Sequence, residues 1–291
     1  MDGAPECNVN RLPTRPLDTA RSIALVEERG SELEKARMKR VLFGTPPEPD
    51  VVDPLVRLQN PDGGFPCRMV PGNPSAVHKT VNSLWWLDEL GLLASPPAGK
   101  AFRYLFGVQQ GDGGWDEDPD IARYGLPPWI RPGDLATRVY LSSYAAYWLA
   151  VAGHETHPAF RAALRFLLQH RDETGRFHGF HHSTWIATSV FAMAGREYAQ
   201  VAEQGLQALL ERPLPDWPVE HICWVLAYLG RAGLPGEHPL IERGLAELLH
   251  RRRSDGSWAS PEDESGAVTT TQALKVLKHY GLVQFEPRKG G

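Results

Sequence analysis

Cysteine is scarce in this chain: Cys7, Cys67 and Cys223 are the only three. Their spacing suits neither a paired disulfide framework nor a cysteine-knuckle metal site, so a reducing cytoplasm is the expected setting. Excess charge of one sign is lacking too, since 31 Lys and Arg stand against 35 Asp and Glu for a net charge of −4. That balance excludes the basic footprint of a nucleic-acid-binding surface. No segment is long and apolar enough to span a bilayer. The opening residues MDGAPECNVNRLPTRP lack the apolar stretch of a secretory signal. Residues 1–16 read as a flexible arm and 286–291 as a flexible tail, around one domain over 17–285. Strand signals are nearly absent, because nowhere does a period-two alternation run between hairpin turns.

What the chain does have is repetition. Four times an apolar helical stretch runs into a turn built on an acidic residue, glycine and an aromatic ring. The copies are QNPDGGF (Gln59 to Phe65), QQGDGGW (Gln109 to Trp115), QHRDETGRF (Gln169 to Phe177) and RRRSDGSW (Arg251 to Trp258). Each leads through a variable loop into another apolar helix, so the unit is helix, turn, helix. A degenerate fifth copy lies between the third and fourth, where Val201 to Leu210 and Trp217 to Gly230 flank Arg212-Pro213-Leu214-Pro215 without glycine. Glycine after a last helical turn takes a left-handed backbone without a Cβ clash, and Asp bonds nearby amides. Such turns brace helix ends and do not by themselves carry chemistry.

The helical spacing of apolar residues from Thr19 to Leu42 predicts a long first helix interrupted near Gly30. Helices follow at about 51–59, 77–91, 98–109, 136–152, 158–170, 182–195, 198–211, 217–231, 239–250 and 265–280. Those before the glycine turns carry more charge and suit an outer ring. Those after them are rich in aromatic and small residues and suit an inner one. With the first helix as a sixth inner member, the pattern predicts an all-α fold, an α/α toroid of about six inner and five outer helices.

The Gln, Asp-Gly-Gly and Trp pattern resembles the QW repeat of squalene-hopene cyclases, oxidosqualene cyclases and class II diterpene cyclases, and is similar to repeats in protein prenyltransferase β subunits. The resemblance covers about residues 50–281. It implies a cavity within the inner ring, an apolar isoprenoid substrate, acid-initiated cyclisation and peripheral membrane association. The DxDD acid motif of such cyclases is absent from this sequence.

Candidate acids are therefore Asp134, which opens an inner helix in PGDLATRVYL, and Asp216 with Glu220 in DWPVEHICW. Asp134 also fits a helix N-cap, and capping is the favoured role. His182, in the cluster Phe177-His178-Gly179-Phe180-His181-His182-Ser183-Thr184-Trp185, is a third catalytic candidate. Aromatic faces stabilise carbocations, which singles out Trp185, Trp224 and Tyr140 as substrate-facing, joined by Arg138, His181 and Trp129. His78, His182 and His221 sit at inner-helix starts, and a closed ring that brought them together would suit Zn²⁺. The run Asp116-Glu117-Asp118-Pro119-Asp120 reads as a solvated loop, with Mg²⁺ or diphosphate binding as the alternative. The loop continues through Trp129 and Arg131 as an ordered lid. Besides a cyclase, two other classes fit these residues: a noncatalytic toroid holding a lipid or peptide, and a zinc-dependent enzyme built on the histidines.

Overall fold

A computed structural model describes residues 17–258, 263 and 265–285; the expected arm and tail lie outside them. The described residues form twelve α-helices: α1 (Ala20–Arg29), α2 (Glu32–Phe43), α3 (Pro49–Arg57), α4 (Val77–Glu89), α5 (Pro96–Val108), α6 (Leu135–Val151), α7 (Pro158–Gln169), α8 (His181–Met193), α9 (Ala199–Leu210), α10 (Val219–Arg231), α11 (Pro239–His250) and α12 (Ala267–His279). Among the described residues, strand amounts to a two-residue antiparallel pairing, Phe65–Pro66 with Ser75–Ala76, and isolated bridge residues such as Arg171 with Phe177.

The even-numbered helices pack each on the next, and α12 returns to α2, so six helices close an inner ring. Each odd-numbered helix packs outside it. The fold is an α/α toroid with six outer helices where five were expected. The difference arises at Gly30, whose extended backbone ends α1, and at Ser31, which starts α2 with a full capping box to Glu34. The first predicted helix is thus two, and only its second half belongs to the inner ring.

The turns hold neighbouring outer helices together. Gly63 and Gly113 both have φ of +93°, and a Cβ on either would stand 2.4 Å from a carbonyl of the next outer helix, Lys100 or Ala162. Glycine is needed there twice over, for the dihedral and for the approach. Gln59 Nε2 donates to its own turn at Gly63 O and to Pro97 O of α5, both at 2.8 Å. Gln109 repeats this with Gly113 O and Ala159 O of α7, again at 2.8 Å. In the third and fourth turns the same place is taken by arginine: Arg171 reaches Gln204 of α9, and Arg252 reaches Asp18 O and Ser22 Oγ. The aromatic residue of each turn is tied inward, its amide donating to a hydroxyl on the following inner helix. The four acceptors are Thr80, Ser142, Thr184 and Thr270.

The fifth turn has no such clamp. Arg251 supplies part of the bracing, donating to the carbonyls of Trp217, Leu214 and Pro215. A surface groove of about 740 Å³ remains between α9 and α11.

Candidate functional site at the open end of the ring

Side-chain pairings show that the inner helices run the same way round. Starts meet starts at His182 and His221, and ends meet ends at Asp88 and Arg231 and where Lys278 bonds Val41 O and Leu42 O. The two ends of the ring are built differently.

The C-terminal end is closed by contacts that cross the ring. Glu89, at the end of α4 and fully buried, accepts from Arg37 Nε and Nη2 at 2.9 and 2.6 Å. It also accepts from Trp85 Nε1 at 2.7 Å and, from α12, Gln272 Nε2 at 2.6 Å and Lys275 Nζ at 2.9 Å. Burial alone would raise this carboxyl. Lys275 and Arg37, with the Gln272 and Lys275 hydrogen bonds, outweigh burial and hold it at about 2. The Arg37 guanidinium stacks over Trp85 and Trp86. Asp88 pairs with Arg231 of the opposite helix α10 at 3.3 Å, and Tyr147 of α6 packs edge-on against Tyr228 of α10 at 4.3 Å between centroids.

At the N-terminal end, contacts run around the ring between neighbours. His182 Nε2 lies 3.1 Å from His221 Nε2. Tyr140 on α6, Trp185 on α8 and Trp224 on α10 surround this pair, their ring centroids 6.1, 4.6 and 5.9 Å from His182. His181 packs edge-on against Trp217 at 4.4 Å and Trp185 at 5.3 Å. Burial pushes His182 down to about 3, with the nearby His221 and His181 adding to the shift, and His181 down to about 4, with Arg212 as the next contributor. His221 also moves down, because burial outweighs the pull of Glu220. Both members of the pair are therefore neutral near pH 7, one Nε2–H donating to the other's lone pair.

Five polar atoms in the segments around this pair are buried without a hydrogen-bond partner: His181 Nε2, Ser183 Oγ, Trp185 Nε1, Trp217 Nε1 and Glu220 Oε2. Among the described residues, no cation pairs with Glu220. An unpaired buried polar atom costs roughly 1–3 kcal/mol. Their concentration around one pair of histidines marks this end as the candidate site.

Other sequence candidates lie elsewhere. Asp134 is exposed and caps α6, accepting from Thr137 N at 3.0 Å. Arg138 bonds Asp112 at 2.6 Å and stacks on Phe166 of the outer helix α7, lining a surface cleft of about 360 Å³. Trp129 is 51% exposed in the loop before α6, where its carbonyl accepts from Thr137 Oγ1. Within that loop Arg131 N donates to Thr137 Oγ1 and Gly133 N to Asp116 Oδ2.

The expected metal set does not form. His78 is occupied by Glu117 at 2.6 Å, apart from the His182 and His221 pair, and among the described residues no three His, Cys, Asp or Glu groups could hold a metal ion. The acidic run is no Mg²⁺ loop either. Glu117 is buried, with Oε2 accepting from Val77 N and Oε1 from His78 N and Nδ1. Asp116 and Asp118 accept local amides.

No family model matches the chain, and none of the curated proteins matches it. Solved structures do. A protein from Actinoplanes superposes with a TM-score of 0.60 at 17% identity, over 90% of this chain and 98% of that one. The type II terpene cyclase of Scytonema, bound to its product merosterolic acid A, gives 0.61 at 16% identity over 90% and 96%; it is also known with geranylgeranyl dihydroxybenzoate as substrate. The ent-copalyl diphosphate synthase of Streptomyces platensis gives 0.57 at 18% identity, over 86% of this chain and 50% of the synthase. What this chain shares with them is the toroid.

Proposed function

We propose that the chain binds an isoprenoid in the lumen of the ring, entered from the histidine end, and that Glu220 protonates it to start a cyclisation. The observation that carries this reading is the composition of the open end: aromatic rings, neutral imidazoles and a single carboxyl group with an unpartnered oxygen. Apolar walls with few polar groups suit a terpenoid chain. Aromatic faces at Tyr140, Trp185 and Trp224 stabilise a carbocation, and uncharged histidines do not repel it. The likeness in fold to type II terpene cyclases supports the same reading. Since the DxDD motif is missing, the acid has to come from another position.

Glu89 is held ionised by two cations, and Glu117 is committed to two amides and a histidine. Glu220 is free of both constraints. In this reading the Glu220 O–H proton passes to an alkene carbon, the π electrons form the new C–H bond, the resulting cation is attacked by the next double bond, and the final cation loses a proton to water to leave a neutral cyclic alkene.

The test is incubation with geranylgeraniol and geranylgeranyl diphosphate, followed by extraction and mass analysis. Wild type is expected to yield cyclised product, Glu220→Gln about 10²–10⁴-fold less, and Asp134→Ala as much as wild type. Undiminished product from Glu220→Gln overturns the assignment. An isoprenoid retained but never transformed leaves a binding protein in place of a cyclase.

A further inference from the structure

The pair His78 and Glu117 does more than a helix cap requires. Val77 and His78 are the first two residues of α4, and the Glu117 carboxylate accepts both their amides, at 2.8 and 2.7 Å. That satisfies the helix start. The same Oε1 also receives His78 Nδ1 at 2.6 Å, with side-chain exposures of 6% for His78 and 1% for Glu117. A carboxylate can only accept, so Nδ1 carries the hydrogen and is fully engaged, which leaves Nε2 as the ring's remaining polar atom. His78 Nε2 is buried and has no partner.

Helical spacing places it inside the ring. His78, Asn82, Trp85 and Glu89 follow at intervals of four, three and four residues, which is one face of α4. Glu89 on that face crosses the ring to Gln272 and Lys275 of α12, past the intervening α2. His78 therefore lies on the lumen-facing stripe, at the open end, with its ring locked by a carboxylate supplied from the next repeat.

We infer that His78 Nε2 is the acceptor for a hydroxyl group on the ligand, so that the lumen selects an isoprenoid alcohol or phenol over one without a donor. This rests on the lumen binding an isoprenoid. A site built to bond a hydroxyl discriminates strongly against an analogue lacking it, because the buried acceptor is then left bare. A hydrocarbon or an ether covers Nε2 and leaves it unpaired; an alcohol completes it.

The experiment measures dissociation constants of geranylgeraniol and geranylgeranyl methyl ether by native mass spectrometry and calorimetry, for wild type, His78→Phe and His78→Gln. The alcohol is expected to bind wild type at least tenfold more tightly than the ether. His78→Phe should abolish that ratio while binding the ether as wild type does, which also shows that the variant folds. His78→Gln, retaining an acceptor oxygen, should restore part of the preference. A ratio near one in wild type, or an unchanged ratio in His78→Phe, overturns the role of His78 and leaves isoprenoid binding standing. If neither ligand binds wild type, the reading on which this inference rests fails with it.

Discussion

The two ends of the inner ring use similar side chains to opposite effect. At the C-terminal end, a tryptophan, an arginine, a glutamine and a lysine all converge on Glu89 and its oxygens are saturated. At the N-terminal end, two tryptophans, a histidine, a serine and a glutamate each leave a buried polar atom unpaired. Satisfied networks stiffen a fold, and unsatisfied ones keep hydrogen-bonding capacity for something else. That contrast is why the proposed function puts the ligand at the histidine end.

The largest effect expected from breaking this comparison is at the closed end. Glu89→Ala leaves Arg37 buried without its counter-charge, and urea denaturation should show a loss of about 3–5 kcal/mol. A matched pair sharpens the contrast. Trp85→Phe and Trp185→Phe remove the same indole volume, but only Trp85 gives up a hydrogen bond to a carboxylate. Trp85→Phe should therefore cost about 1.5–3 kcal/mol more than Trp185→Phe. Equal costs would mean that the open end is as satisfied as the closed one.

The ends should also titrate apart. His182 ordinarily takes up a proton near pH 6.5, and burial holds it at about 3 in the fold. The unfolded chain thus binds protons first, so stability is lost as pH falls below about 6.5 by roughly 1.4 kcal/mol per unit for such a group. Glu89, lowered from 4.5 to about 2, contributes its loss only below about pH 4.5. Melting curves between pH 7 and 5 should accordingly be flatter for His182→Phe than for wild type. The smallest effect belongs to Asp134→Ala, a lost cap of about 1 kcal/mol with ligand binding unchanged.

The architecture was legible because the glycine turns recur with their neighbours intact. Even so, sequence alignment from Gln169 and Arg251 hid that Arg171 and Arg252 occupy the place of Gln59 and Gln109. Counted back from the aromatic, Arg171 and Arg252 stand where Gln59 and Gln109 do, but arginine replaces the amide donor with a longer one, and a neighbouring Gln169 draws the eye to the wrong position. The inward ties at Thr80, Ser142, Thr184 and Thr270 were hidden by loops of differing length. The closed end was missed because Arg37, Glu89, Gln272 and Lys275 are far apart in sequence and meet only when the ring closes. Glu117 was misread as solvated since three acidic neighbours, Asp116, Asp118 and Asp120, suggest water, whereas its carboxylate is needed at the start of α4. The histidine cluster was visible, and the pairing of His182 with His221 follows from adjacent helix starts. His78 shares their end of the ring but not a metal set with them, because its carboxylate partner Glu117 comes from another turn.

The central claim is that an isoprenoid occupies the open end of the lumen, and photolabelling with a diazirine-bearing geranylgeraniol, mapped by peptide sequencing, tests it most directly. Label on Tyr140, His182, Trp224 and their neighbours, competed away by unmodified geranylgeraniol, is the predicted result. Label confined to the outer groove between α9 and α11, with the inner helices unmarked, would contradict it.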